Sequence, residues 1–124
     1  MANEISKTVS LTLSSGTPAL KATFKPGTLT LDQTTAKLYS TVNEIGTSEE
    51  SITDFGDLAT TEYGQCVIRN LDATNYVQVG ITTATYFARI YPGDFAVIPL
   101  EDAVDLFLKA NTAACNVEIQ VWGR

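Results

Sequence analysis

The sequence predicts an all-β protein: an antiparallel, jelly-roll-like β-sandwich of about nine or ten short strands, in one domain spanning residues 1–124. Three observations carry that expectation. Apolar and polar residues alternate along most of the chain, which is the period of a half-buried strand. Clusters of Gly, Pro, Asn and Asp recur roughly every 8–12 residues, as turns between short strands do. No segment sustains the 3.6 period of an amphipathic helix, and the 18 threonines among 124 residues suit pleated surfaces.

Val9, Leu11 and Leu13 alternate with Ser10, Thr12 and Ser14. Gly16-Thr17-Pro18 breaks the run, residues 21–24 form a second, and Lys25-Pro26-Gly27 turns into a third at 28–31. These pieces are short and polar, so residues 1–35 are expected to form an extended N-terminal arm or added edge strands. Residues 36–46 alternate again, with Leu38 and Val42 on one side and Tyr39 and Ile45 on the other. Residues 46–64 are the longest stretch without periodicity. Ser48-Glu49-Glu50-Ser51 opens one helical turn there or belongs to a loop, and loops of this length are more often functional or interfacial than filler.

From residue 65 the pattern tightens. Residues 66–69 read as a strand, and Asn70 to Asn75 as a turn closed by Asn and Asp side chains. Residues 76–81 place Val77, Val79 and Ile81 on one face. Residues 82–85 turn, 86–91 return, and Pro92-Gly93-Asp94 turns tightly. Residues 95–100 are nearly all apolar and are expected to be a central strand buried on both faces. Residues 101–103 turn, 106–110 form a strand, 111–114 loop, and Val117, Ile119 and Val121 mark the last strand.

The net charge of −6 argues against nucleic acid as a main partner, since phosphate binding needs clustered Lys and Arg. The charge is uneven. Residues 1–37 carry four lysines against two acids, whereas residues 38–108 carry eleven acids against Arg69 and Arg89. A basic first third and an acidic middle are complementary, within one chain or between copies. Cys66 and Cys115 sit in apolar strand patterns and are expected to be buried free thiols. No apolar stretch is long enough for a membrane helix, and the first residues lack the basic start and apolar run of a signal peptide, so synthesis and folding in a cytoplasm are expected.

The chain contains no histidine, which removes Ser-His-Asp, Cys-His and His-containing zinc sites. The glycines lie singly, so no phosphate-cradling loop is present. The paired acids Glu49 and Glu50, Asp54 and Asp57, and Glu101, Asp102 and Asp105 lie in expected loops, where solvation explains them. No catalytic residue, no metal and no cofactor is expected. Tyr76, Tyr86, Phe87, Tyr91 and Phe95 cluster in sequence; cross-strand packing accounts for them, and the alternative is a carbohydrate-binding face.

Residues 67–80 (Val-Ile-Arg-Asn-Leu-Asp-Ala-Thr-Asn-Tyr-Val-Gln-Val-Gly), 91–100 (Tyr-Pro-Gly-Asp-Phe-Ala-Val-Ile-Pro-Leu), 109–122 and 42–51 together resemble small structural proteins of tailed bacteriophages. The resemblance covers about residues 40–124 and does not extend over the first 40. It implies a non-enzymatic virion component, made in the host bacterial cytoplasm. Capsid decoration (cement) proteins are similar in size, β-rich and often trimeric, so the resemblance implies a homotrimer that binds the major capsid protein between capsomers. A tail, neck or fibre-anchoring part is the alternative, and a carbohydrate-binding β-sandwich is the alternative from another class. The residues expected at an interface are Lys7, Lys21 and Lys25 in the N-terminal third, and Glu49, Glu50, Asp54 and Asp57 in the acidic loop.

Overall fold

A computed structural model describes residues 4–16, 20–34 and 36–124. Among them there are twelve strands and no helix, and every strand pair is antiparallel. The chain divides into two compact units, Met1–Thr34 and Thr35–Arg124. Part of the break expected at Gly16-Thr17-Pro18 lies outside the described residues.

In the first unit, β1 (Ile5–Thr8) pairs with β4 (Thr28–Leu31), and β2 (Leu11–Ser15) pairs with β3 (Leu20–Phe24). The pairs are nested, so the chain runs up one side of a two-stranded ribbon and down the other. Val9 and Ser10 face Lys25-Pro26-Gly27 where pairing lapses. There proline supplies no ladder donor and Gly27 takes φ 94°, a left-handed value that favours glycine. The Thr8 and Thr28 hydroxyls are 2.8 Å apart across the ribbon, and the Glu4 carboxylate accepts from the Gln33 amide at 3.0 Å.

The second unit holds eight strands: β5 (Leu38–Ile45), β6 (Glu50–Ile52), β7 (Tyr63–Asn70), β8 (Val77–Gly80), β9 (Ala88–Ile90), β10 (Phe95–Pro99), β11 (Leu106–Ala110) and β12 (Cys115–Gly123). They form two four-stranded sheets, ordered β10-β7-β12-β5 and β6-β11-β8-β9. The first strand pairs with the last, the second with the next to last, and so inward to β8 with β9. Strict alternation builds the core: Ile45, Cys66, Ile68, Val117, Ile119 and Val121 from one sheet meet Val77, Val79, Ile90, Leu106, Leu108 and Ala110 from the other in one buried cluster. Both cysteines are buried and unpaired, and burial pushes the Cys66 thiol up to about 12.

Three local expectations are corrected. The strand count is twelve among the described residues rather than nine or ten, because β1 and β6 lie in stretches too short or too polar to show a period. Residues 48–51 form no helical turn: Glu50 and Ser51 belong to β6, which is held on the edge of β11. The rest of that stretch packs inward. Phe55 is fully buried, with Tyr39 and Tyr63 edge-on at ring-centroid distances of 5.6 and 5.0 Å, and Leu58 is buried beside it. Residues 95–100 are not a central strand, since β10 is an edge strand paired only with β7, and Phe95 is 61% exposed. Its inward residues Ala96 and Ile98 face Ile68 and Cys66 in register, and its other apolar face looks out.

Candidate functional site

The basic residues named from the sequence lie on the ribbon, among exposed apolar side chains. Leu11 stands opposite Phe24 and Leu13 opposite Ala22, so the four share one face by alternation. Leu11, Leu13, Phe24 and Leu29 are 66, 47, 56 and 54% exposed. Lys21 and Lys25 are exposed, and Lys7 is half-buried opposite Leu29. Leu11, Leu13, Phe24 and Leu29 stand open whereas Ile5 of β1 is buried, and a two-stranded ribbon is marginal alone in water.

The acidic residues do not form one patch. The Glu49 carboxylate accepts from the Ala84 amide at 2.7 Å and from the Tyr86 hydroxyl. Glu50 accepts from the Gly46 amide at 2.5 Å, and Asp54 from the Gly56 amide at 3.0 Å. Asp57 gives its backbone carbonyl to the Lys37 ammonium at 3.0 Å, which also pairs with Glu62 at 2.9 Å. Three of the four acids thus hold loop backbone, which is the ordinary use of a short carboxylate in a turn.

The Glu49 contact has a pH consequence. The Tyr86 hydroxyl, and then the Ala84 amide, hold the Glu49 carboxyl below its ordinary value, while the same bond raises the Tyr86 phenol. A carboxyl whose pKa is lower when folded contributes fully above its unfolded value, and the contribution fades as pH falls through the folded one. Acidification below the usual carboxylate range is therefore expected to release residues 82–86 before the sheets melt. Amide exchange at Ala84 followed from neutral to acid pH checks this: acceleration in the parent, and already fast exchange at neutral pH in Glu49→Gln, are the expected results.

Sequence reasoning missed the outward face of the β10-β7-β12-β5 sheet. Register places Phe95, Arg69, Glu118 and Val42 in one row, and Val97, Val67, Gln120 and Ser40 in a second. Pro99, Gln65, Trp122 and Leu38 make the third. Leu38 and Val42 are 57 and 56% exposed, and the Trp122 indole donates to the Gln120 side-chain oxygen at 3.0 Å. The apolar outer half of residues 95–100 was the available signal, misread as burial on both faces.

Two of the aromatics picked out from the sequence meet on the outward face of the other sheet. Tyr76 precedes β8 and Tyr91 follows β9, next to the inward pair Val77 and Ile90, so both rings point out. Their centroids are 5.8 Å apart, and the Arg89 guanidinium lies 4.2 Å over the Tyr76 ring. Tyr86 is drawn away to Glu49, and Phe87 lines an apolar crevice of about 310 Å³ with Ile81, Ile98, Leu100 and Leu106. Among the described residues no three of His, Cys, Asp and Glu converge as metal ligands, and no helix is long and apolar enough to cross a membrane. Compared with protein-family models and with curated proteins, the chain matches none.

Proposed function

We propose that the second unit is a jelly roll and that the protein is a non-enzymatic structural component of a phage particle, a capsid decoration protein that fastens capsomers as a homotrimer. The nested strand pairing supports the first part, since a hairpin folded over and wrapped into two sheets is how such a roll is made. The observation that carries the second is the ribbon, whose Leu11, Leu13, Phe24 and Leu29 are about half exposed or more. An apolar, basic ribbon attached to an acidic body is suited to seating on a neighbouring protein surface, by burial and by charge. The resemblance of residues 40–124 to phage structural proteins supplies the particle as the setting, with the major capsid protein as partner and the virion as location.

Copy number tests the reading. Densitometry of virions purified from a lysate that produces this chain is expected to give on the order of hundreds of copies per particle, whereas a neck or tail ring holds about a dozen or fewer. The double variant Leu11→Ser, Phe24→Ser is expected to lose most of its particle occupancy while the body keeps its melting temperature. Ring-like stoichiometry moves the protein to the neck or tail. Absence from particles, or full occupancy by the double variant, overturns the proposal.

A further inference from the structure

The outward face around Arg89 groups a cation with two aromatic rings. A row runs across three strands, with Lys109, Gln78 and Arg89 opposite one another on β11, β8 and β9. The next outward row contains Tyr76 and Tyr91. Arg89 is exposed and Tyr91 is 53% exposed. On a chain of net charge −6, the Arg89 guanidinium lies over the Tyr76 ring, whose neighbour is the Tyr91 ring, and among the described residues it makes no salt bridge. A guanidinium carries five N–H donors, and contact with a ring face uses none of them in a conventional hydrogen bond. Lys109 adds a second positive charge to the row, near Glu49.

We propose that Tyr76, Gln78, Arg89 and Tyr91 bind a carboxylate-bearing sugar, the hexuronate unit of an acidic glycan. A planar guanidinium matches a carboxylate with two parallel hydrogen bonds. The exposed Tyr91 ring offers a flat apolar face to a pyranose, and the Gln78 amide both donates to and accepts from ring hydroxyls. Charge complementarity selects an acidic ligand, and the exposed Tyr91 ring beside the cation favours a sugar over an acidic peptide. The site lies on the opposite sheet from Trp122, so it is separate from that apolar face.

Isothermal titration calorimetry of the full chain tests this with three probes: oligogalacturonate, maltohexaose and polyglutamate. Oligogalacturonate is expected to bind and the other two not. Arg89→Ala is expected to weaken binding by about tenfold or more, and Tyr91→Ala by several-fold. Trp122→Phe is expected to bind as the parent does, and circular dichroism of each variant confirms the fold. Equal binding of maltohexaose, equal binding of polyglutamate, no binding of oligogalacturonate, or binding undiminished in a folded Arg89→Ala overturns the proposal.

Discussion

Asn70→Ala is expected to destabilise the protein by about 3–5 kcal/mol, seen as a lower urea midpoint at an unchanged slope. Asn70 is fully buried at the end of β7. Its side-chain amide donates to the Asn75 carbonyl at 2.8 Å and to the Ile90 carbonyl at 3.0 Å, and its side-chain oxygen accepts from the Asp72 amide at 2.9 Å. Its backbone is used as well, donating to Asp94 and accepting from Gly93. One residue therefore fastens the turn to β8, the start of β10, and β9 in the opposite sheet. Alanine leaves two carbonyls and one amide without their partners in a place water reaches poorly, where the cost falls on each group. Asn70→Asp separates hydrogen bonding from cavity formation. An ionised carboxylate has no donor and would face two carbonyls, so it is expected to be at least as damaging at neutral pH, with partial recovery in acid once a proton restores one donor. Asn70→Ala within about 1 kcal/mol of the parent would show that those carbonyls find other donors.

How much of this was legible in the sequence depends on what each residue answers to. Alternation is a local consequence of the pleat, so β12, which alternates buried and outward positions from Cys115 to Gly123, was readable, as were the faces of β5 and β8. The all-β sandwich follows from such segments and the turns between them. Position within a sheet is not local. Residues 95–100 are apolar on both faces, which describes a central strand equally well; only the strand order puts β10 at an edge and Phe95 in the open. Asn70 looks like any turn asparagine, and nothing in its neighbours announces that Ile90 lies across from it. The acids of residues 49–57 read as surface charge because a carboxylate that accepts from a loop amide has the same composition signal as one that faces water. Of the Arg89 face, the tyrosines were visible as a cluster, but the guanidinium over Tyr76 depended on the pairing of β8 with β9.

Gly80→Ala carries the other large expected effect. Gly80 ends β8 on the side where the chain from Ile81 to Phe87 folds back over the sheet before β9 begins. A Cβ on Gly80 would stand 2.0 Å from the Thr85 carbonyl oxygen, 3.0 Å from its carbon and 3.3 Å from the Tyr86 Cα, all of them backbone atoms. The loop is held there from several directions. Thr85 donates to the Thr82 carbonyl at 3.2 Å, Phe87 donates to the Val79 carbonyl at 3.0 Å, and Glu49 grips the Ala84 amide and the Tyr86 hydroxyl. Ala84 already holds a left-handed φ of 57°, which leaves the turn little freedom to adjust. One methyl group must therefore either break those bonds or push β8 off β11. The expected cost is about 3 kcal/mol or more, beyond ordinary overpacking because the obstacle is main chain. Two readouts separate the outcomes. A fall in the urea midpoint means the sheet yields; an unchanged midpoint with fast exchange at the Ala84 and Phe87 amides means the loop lifts off alone. Gly16→Ala is the control, since its Cβ would meet nothing within 4 Å and is expected to be close to neutral. If Gly80→Ala matches it in both stability and exchange, the loop passes farther above β8 than these distances state, and glycine at this position is then a matter of chain entropy alone.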